Sequence, residues 1–337
     1  MNQINLNDVE TILKNIGNKI EHFQNKKILI SGGSGFLGSW ICDVFVKVGA
    51  NVTCLDNFSS GLKSNIEHLM NKPNFKLIQK DICDINFDES FDGVMHFASR
   101  ASPEDYHNFQ IETLLTNSLG TKNALDVALH NKCKFMYSST SEVYGDSKIF
   151  PTSEEYWGNV NPIGERSCYD EGKRYGEALC VAYQREHKLD VRLIRIFNTY
   201  GPRIRPDGNY GRALPRFVDK ALKNETIKIF GDGLQTRSFC YVTDTISGIL
   251  LYFLDKENHG VLNIGSKTET TINHLAETIV SKTNSKSKIE HVSESPDDPR
   301  RRQADISKAK RCIGWEPKIS LESGLAKTID WIKSINF

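Results

Sequence analysis

Short apolar runs alternate with longer stretches in which apolar residues recur at helical spacing. The runs that predict strands span residues 27–31, 51–56, 75–79, 93–98, 134–139 and 191–197. Between the first two runs, Leu37, Trp40, Ile41, Val44 and Val48 repeat as on one face of a helix. Alternation of this kind predicts the α/β class, with a doubly wound parallel sheet.

An amphipathic segment precedes the first strand. Over residues 6–23, Ile12, Ile16 and Ile20 form part of an apolar stripe, and Asn7 with Glu10 three residues later resembles a capping box. The polar face of this segment carries no basic cluster, which would be expected of a membrane-surface helix. We therefore expect a packing or dimer-contact helix.

The alternation of strands and helices ends after Asn198, where glycine and proline cluster. A length of 337 residues also exceeds what one compact core usually needs. We predict a helical extension over 1–26 and a sheet domain over 27–200, with a return segment at about 234–258. A smaller α/β substrate-binding domain is expected over 201–337.

The composition and charge of the chain argue against several classes of protein. Hydrophobic residues make up 39% of the chain and charged residues 25%, as in ordinary globular proteins. A net charge of +1 favours neither a nucleic-acid nor a membrane partner. The eight cysteines form no C-x-x-C pair, so we expect reduced thiols and no metal site. No apolar run reaches transmembrane length and no signal peptide is apparent, so a cytoplasmic location is expected.

A glycine-rich turn follows the first predicted strand. Gly32, Gly35 and Gly38 have G-x-x-G-x-x-G spacing, with Phe36 and Leu37 before the last glycine. Such glycines let the backbone approach a pyrophosphate, and the following helix offers N–H donors at its N-terminus. We predict that these residues bind a dinucleotide in a Rossmann-type fold.

Acidic residues follow the second and third predicted strands. Asp56, with Asn57 beside it, ends the second strand where a carboxylate can bond both ribose hydroxyls and repel a 2′-phosphate. This position favours NAD over NADP. Asp81 and Ile82 follow the third strand, and we expect them near the adenine.

A tyrosine and a lysine stand four residues apart on a predicted helix, at Tyr169 and Lys173. We expect the ammonium, together with the charge of the nicotinamide, to lower the tyrosine pKa so that Tyr169 can act as a base. The same spacing recurs at Tyr144/Lys148 and at Tyr252/Lys256. Position favours Tyr169, because its helix comes one crossover after the strand that ends at the carboxyl edge of the sheet.

Longer segments resemble one family in particular. They are SGGSGFLGS (31–39), LDNFSSG (55–61), STSEVYGD (139–146), YWGNVNPIGERSCYDEGKR (156–174), RIFNTYGPR (195–203), QTRSFCYVTD (235–244) and DDPRRRQADI (297–306). The chain resembles the extended short-chain dehydrogenases/reductases and, among them, the UDP-glucuronate decarboxylase (UDP-xylose synthase) family. The similarity runs from about Lys27 to near the C-terminus.

This resemblance implies a reaction. Tyr169 would take the proton of the sugar C4 hydroxyl while hydride passes to NAD⁺, giving a 4-keto uronate. As a β-keto acid it can lose CO₂, with Tyr169 and Thr140 stabilising the resulting enolate. Protonation at C5 and return of the hydride would give UDP-xylose and regenerate NAD⁺.

The resemblance also implies further site residues. Glu142 and Arg302 would lie near the uronate carboxylate, with Ser141 between them and Tyr169. Glu142 would discourage a second anion, and Arg302 or a water it polarises would supply the C5 proton. The residues implied for the UDP-sugar are Tyr106, Asn198, Arg212 and Arg237. Without the resemblance, Glu142 would be a loop carboxylate and Arg302 a solvated arginine.

Two departures from the family pattern lie where the sugar pocket is expected. Arg100 stands where many of these decarboxylases carry proline, and the loop GNYGRALPRF (208–217) differs from the commoner form. The identity of the sugar is therefore the least constrained part of the prediction.

Other functions remain open. An NDP-sugar 4-epimerase, such as one acting on UDP-glucuronate, would share the tyrosine, the lysine and NAD, and so would a 4,6-dehydratase. A non-catalytic NAD-binding module would be expected to have lost Tyr169 or Lys173. By analogy with the family we expect a homodimer through the helices at 112–131 and 169–186.

Overall fold

The computed structural model of the chain describes residues 3–85, 87, 89–205, 212–294 and 299–336. Its strands are β1 (Lys27–Ser31), β2 (Asn51–Leu55), β3 (Phe75–Ile78), β4 (Gly93–His96), β5 (Lys134–Thr140), β6 (Val191–Ile196), β7 (Thr199–Tyr200), β8 (Ile227–Phe230), β9 (Thr236–Ser238), β10 (Cys240–Tyr241), β11 (Val261–Ile264), β12 (Glu269–Thr271), β13 (Ile289–Val292) and β14 (Arg301–Arg302).

The helices flank these strands. They are α1 (Gln3–Ile16), α2 (Phe36–Lys47), α3 (Pro103–Asn108), α4 (Gln110–Leu115), α5 (Thr121–Asn131), α6 (Ser167–His187), α7 (Ala213–Leu222), α8 (Val242–Leu254), α9 (Ile272–Thr283), α10 (Ser307–Ile313) and α11 (Leu321–Asn336). A π-helical turn, Thr116–Gly120, joins α4 to α5. A 3₁₀ turn, Ser141–Tyr144, follows β5.

The main sheet is parallel, which confirms the predicted fold class. Within the described residues it has seven strands in the order β11-β6-β5-β4-β1-β2-β3. The chain leaves β3 at one edge and returns on the other side of β1 as β4, so a crevice opens beyond the carboxyl ends of β1 and β4. All six predicted strands are present. The seventh, β11, lies beyond the predicted return segment, most of which forms helix α8.

Smaller sheets make up the rest of the chain. β9 pairs with β12 and β14, β8 with β13, and β7 with β10. One hydrophobic cluster runs from the sheet into this region, and it includes Phe45, Phe217 and Leu275. The lobes therefore share a core, and the domain boundary near residue 200 stays a prediction.

Helix α1 packs against α8 and α2 and buries Ile12 and Ile16. It begins at Gln3, so the predicted capping box at Asn7 and Glu10 is wrong, because Asn7 lies inside the helix. Asp8 is buried and accepts hydrogen bonds from Tyr241 Oη at 2.6 Å and Lys327 Nζ at 3.0 Å. The extension therefore packs mainly on helices of the sheet domain and contacts the second lobe through Lys327.

Two further features concern disulfide bonds and membrane-spanning helices. All eight cysteines lie within the described residues and are free thiols. In the described part of the chain, no helix combines the length and apolarity needed to cross a bilayer.

Candidate active site

The glycine turn after β1 has a backbone that side chains would obstruct. Gly32 has φ +72°, and a Cβ atom there would lie 2.6 Å from the backbone nitrogen of Ala98. A Cβ on Gly38 would overlap the carbonyl oxygen of Gly32. Gly35 caps α2 and donates its N–H to Gly32 O at 3.1 Å. The turn therefore brings bare backbone and the N-terminus of α2 to the crevice, as a pyrophosphate site requires.

Asp56 joins the glycine turn to the loop after β2. Its Oδ2 accepts from Ser34 N at 2.9 Å, and its Oδ1 accepts from Phe58 N at 2.8 Å. Asp81 accepts from Asn57 Nδ2 at 2.6 Å. A cavity of about 50 Å³ is lined by the predicted adenosine-side residues, namely Gly32, Asp56, Asn57, Asp81 and Ile82. These residues and the glycine turn fit a dinucleotide such as NAD.

A larger cavity of about 480 Å³ lies over the carboxyl ends of the central strands. It is lined by all the predicted catalytic and substrate residues, which are Thr140, Ser141, Glu142, Tyr169, Lys173, Arg302, Tyr106, Asn198, Arg212 and Arg237. Phe36, Leu37 and Gly38 of the dinucleotide turn line it as well. The structure thus brings the two predicted sites together, while the role of each residue stays a prediction.

Tyr169 and Lys173 lie on the cavity side of α6 and are almost completely buried. Lys173 Nζ donates to Ser138 O at 2.8 Å and lies 6.0 Å from the centre of the Tyr169 ring. Burial lowers the pKa of Lys173 to about 7, although Cys180 and Glu177 oppose the shift. Near neutral pH this amine can therefore exist in both protonation states.

The expected lowering of the Tyr169 pKa is absent from this structure. Burial raises the pKa of Tyr169 above its ordinary value, and the positive charge of Arg212 and a hydrogen bond with Thr140 oppose the rise. The prediction counted the charges of Lys173 and the nicotinamide but not the cost of burying a phenolate, and burial disfavours the Lys173 charge too.

The two competing tyrosines lie elsewhere. Tyr144 Oη donates to Asn263 Oδ1 at 2.8 Å, and Tyr252 Oη donates to Asn258 Oδ1 at 3.1 Å. Both rings are buried in the core, and neither is among the residues that line the large cavity. Of the three Tyr-x-x-x-Lys pairs, the pair at Tyr169 has the position that catalysis needs.

Tyr106 packs directly on Tyr169. The two rings are stacked, with centres 5.2 Å apart and planes 8° from parallel. Cys168 Sγ also donates to Tyr106 O at 3.5 Å, which ties α3 to the start of α6. The stack restrains the orientation of the Tyr169 phenol.

Glu142, Arg166 and Arg302 form a partly buried cluster, which we call the charge triad. Arg302 bonds both carboxylate oxygens of Glu142, with Nη2 2.9 Å from Oε2. Arg166 Nη2 bonds Oε2 as well, and its Nε lies 3.9 Å from Asp170 Oδ2. Burial alone would raise the pKa of Glu142, but the two guanidinium groups outweigh it and lower the pKa to about 2.

Two carboxylates and two guanidinium groups meet here, because Asp170 also lies beside Arg166. The role of Glu142 in discouraging a second anion stays a prediction. Arg302 is buried, not solvated. Arg166 is one of the cavity residues that sequence reasoning missed. Its position three residues before Tyr169 on one helical turn was the available signal.

The remaining predicted polar residues line the same cavity. Arg212 Nη2 donates to Ala101 O at 3.2 Å, and Arg237 Nη1 donates to Thr236 O at 2.8 Å. Asn198 Nδ2 is buried and has no hydrogen-bond partner among the described residues. Two guanidinium groups and an amide donor are suited to the oxygens of a diphosphate.

Arg100 lines the smaller cavity, whereas its neighbours Ser99 and Ala101 line the larger one. Its Nη1 donates to Ser59 O at 3.3 Å, and its guanidinium carbon lies 4.3 Å from the centre of the Phe109 ring. It thus links the loops after β2 and β4. Of the second departure, the loop 208–217, residues 208–211 lie outside the described residues.

Comparison with protein families gives a match over most of the sheet domain. Residues 28–265 match the model of the NAD dependent epimerase/dehydratase family. UDP-glucuronic acid decarboxylase 1 of Xenopus tropicalis is 44% identical over 308 residues, covering 91% of this chain and 72% of that protein. UDP-glucuronic acid decarboxylase 3 of Arabidopsis thaliana is 45% identical over 302 residues, covering 89% of this chain and 87% of that protein.

Similar solved structures include two epimerases. The UDP-glucuronic acid 4-epimerase of Bacillus cereus, in complex with UDP-glucuronic acid and NAD, superposes with a TM-score of 0.82 at 31% identity. It covers 92% of this chain and 99% of that one. The UDP-glucose 4-epimerase of Thermotoga maritima, with UDP-glucose, superposes with a TM-score of 0.84 at 31% identity. The match again covers 92% of this chain and 99% of that one.

Proposed function

The chain belongs to the NAD dependent epimerase/dehydratase family, and we propose that it decarboxylates UDP-glucuronate to UDP-xylose. The observation that carries this proposal is the single cavity in which Tyr169 and Thr140 adjoin the charge triad. The relatives that are 44–45% identical and named UDP-glucuronic acid decarboxylase support the same reaction. NAD is the cofactor, held by the glycine turn and Asp56.

The first step is deprotonation of the sugar at O4. Bound beside the glycine turn, NAD⁺ supplies the hydride acceptor and later the hydride donor. Tyr169 accepts the proton of the C4 hydroxyl, and the Thr140 hydroxyl donates a hydrogen bond to O4. Arg212 and the hydrogen bond with Thr140 offset part of the cost of the buried phenolate. Loss of this proton, together with loss of hydride from C4, gives a 4-keto uronate.

Loss of CO₂ follows from the position of the new ketone. The C5–C6 bond breaks, its electron pair becomes the enolate of the C4 ketone, and C6 leaves as CO₂. Tyr169, now protonated, and Thr140 donate to the enolate oxygen, where negative charge develops. Water polarised by the charge triad protonates C5, and the hydroxide left behind takes up a proton from solvent, so the reaction consumes one proton overall. Return of the hydride to C4 and of the Tyr169 phenol proton to O4 would yield UDP-xylose.

Two solved relatives are 4-epimerases, so a UDP-glucuronate 4-epimerase is the principal alternative. An epimerase needs room for the keto sugar to turn over, whereas here Glu142 with its two arginines borders the reaction centre. Proton NMR of UDP-glucuronate with the purified protein and no added NAD separates the two. We expect a pentose product with two protons on C5, and a product that retains C6 would favour the epimerase.

We propose that the protein is a homodimer, because apolar side chains are exposed on α4 and on the turn after it. Ile111 is 71% exposed, and Leu114, Leu115 and Leu119 are each more than 40% exposed. Tyr175 on α6, which packs against α4, is also exposed. A second copy would cover this patch in a homodimer through the two predicted helices. We place the protein in the cytoplasm, where its unpaired cysteines would stay reduced.

A further inference from the structure

We propose that Glu177 is a positioning residue, which holds the end of β5 against α6 so that Thr140 and Tyr169 meet at the same sugar oxygen. This inference rests on the proposed function, because it concerns the oxidation at C4 with which the reaction begins. The glycine motif, the Tyr-x-x-x-Lys pair and the family comparisons assign no role to Glu177. Its side chain is partly buried and is not among the described residues that line the large cavity.

Both carboxylate oxygens of Glu177 are occupied. Arg195 donates from Nε to Oε1 at 2.8 Å and from Nη2 to Oε2 at 2.7 Å. Ser139 Oγ donates to the same Oε1 at 2.5 Å. The charge of Glu177 is thus matched by one guanidinium, in the bidentate arrangement that fixes a carboxylate in one orientation. Glu177 therefore acts through the group it orients, which is the Ser139 hydroxyl, and not as a free acid or base.

Arg195 is itself held by the main sheet. It lies in β6 in register with Ser139 of β5, and its Nη1 donates to Glu154 O at 3.2 Å. Its guanidinium carbon also lies 4.7 Å from the centre of the Tyr144 ring, in the turn that follows β5. The side chains of Glu177 and Arg195 are each only 13% exposed. This pair is therefore a fixed support and not a mobile surface ion pair.

Glu177 and Lys173 attach α6 to two consecutive residues of β5. Lys173 Nζ donates to Ser138 O at 2.8 Å, and one helical turn later Glu177 accepts from Ser139. The backbone ladder between β5 and β6 aligns these strands with each other but does not set the position of the helix. The next residue of β5 is Thr140. The two contacts therefore set where Thr140 stands relative to the helix that carries the proposed base.

Loss of the Ser139 contact should affect the chemistry more than the binding of substrate. The Ser139 hydroxyl is directed to Glu177, and the residues proposed for the diphosphate are held by other segments. A displacement of a reacting group by about 1 Å can slow a step by as much as about 100-fold. The first hydride transfer is the step concerned, because Thr140 and Tyr169 must bond O4 together. The expected signature is slower NADH formation with little change in KM for UDP-glucuronate.

The test measures NADH absorbance in a single turnover of UDP-glucuronate by the NAD-loaded protein, together with kcat, KM and bound NAD. Ser139→Ala removes one hydroxyl and leaves Glu177 paired with Arg195. It should slow NADH formation and turnover roughly 3- to 30-fold and change KM and NAD content less than about twofold. Glu177→Gln should give the same pattern. Because both variants break one contact, the double variant should be no more than about twofold slower than the slower single variant.

The control is Glu186→Gln, the same substitution at the exposed end of α6. It should leave the rate of NADH formation unchanged. The proposal would be overturned by a wild-type rate in Ser139→Ala or by multiplied losses in the double variant. A raised KM as the main effect would overturn it as well, since Ser139 would then contact the sugar itself.

The step measured is shared by a decarboxylase and a 4-epimerase. The result therefore decides the role of Glu177 whichever sugar is formed, whereas proton NMR of the product decides the reaction. Absence of both NADH and product from UDP-glucuronate with the parent protein would overturn both proposals.

Discussion

Arg302 bonds both carboxylate oxygens of Glu142, although 160 positions separate the two residues in the chain. Glu142 follows β5 of the main sheet, and Arg302 lies in β14 of a smaller sheet, where it is in register with Arg237. The pair therefore joins a smaller sheet to the carboxyl edge of the main sheet. In the proposed reaction, the Arg302 guanidinium would polarise the water that protonates C5.

The first prediction concerns this pair. Glu142→Gln or Arg302→Ala should slow CO₂ release more than the first hydride transfer, because Tyr169 and Thr140 remain in place. The absorbance of NADH in a single turnover gives the rate of the first hydride transfer, and trapping of CO₂ gives the rate of decarboxylation. Arg301→Ala is the control, since Arg301 bonds Glu269 at the surface. Unchanged turnover in both active-site variants would refute the roles assigned to them.

The second prediction concerns the base. Tyr169→Phe should lower kcat roughly 10²- to 10⁴-fold, as expected for loss of general acid–base catalysis, and should leave NAD binding intact. Tyr175→Phe is the control on the same helix, because its side chain is exposed. Steady-state rates and the bound NAD content check both variants. Near-normal turnover of Tyr169→Phe would exclude the phenol as the base.

The third prediction concerns Arg100. Its links to Ser59 and Phe109 join the loops on either side of the smaller cavity, so Arg100→Ala should speed NAD dissociation roughly 3- to 10-fold. Stopped-flow displacement of bound NAD measures the rate. Arg311→Ala, on the exposed face of α10, should have no effect. An unchanged dissociation rate in Arg100→Ala would show that the link does not retain the cofactor.

The fourth prediction concerns pH and His96. Burial, helped by Lys173, lowers the His96 pKa from 6.5 to about 3, and Ser31 Oγ lies 2.6 Å from its Nδ1. Between these two values the unfolded chain binds the proton more readily, so the free energy of unfolding should fall as pH falls. His96→Gln should reduce this slope by up to about 1.4 kcal/mol per pH unit.

Urea unfolding at several pH values between 5 and 7 measures this slope. His187→Gln, at the exposed end of α6, serves as the control for loss of a histidine. The same pH dependence in the wild type and in His96→Gln would contradict the assignment to His96.

The fold was predictable because buried parallel strands appear as nearly continuous apolar runs. β1 has the predicted bounds, and the other predicted strands differ by one or two residues at their ends. The strand β11 was missed because four residues after a turn give little periodicity. The capping box at Asn7 failed because the pattern of the first turn did not reveal that the helix begins at Gln3.

The site was predictable residue by residue but not in its charge balance. Glycine spacing and longer motifs identified residues that line the two cavities. The pKa values of Tyr169 and Lys173 depend on burial, which a sequence does not display. Arg166 required a tertiary contact with Glu142, and Arg100 required the position of Phe109. These contacts form only when distant segments meet.

The fate of carbon 6 tests the central claim most directly. UDP-glucuronate labelled with ¹³C at C6 is incubated with the purified protein without added NAD and followed by ¹³C NMR. We predict that the label appears as CO₂ and bicarbonate at the rate at which unlabelled UDP-xylose forms, and that Tyr169→Phe abolishes both signals. Label retained in a C4-epimerised UDP-sugar would contradict decarboxylation.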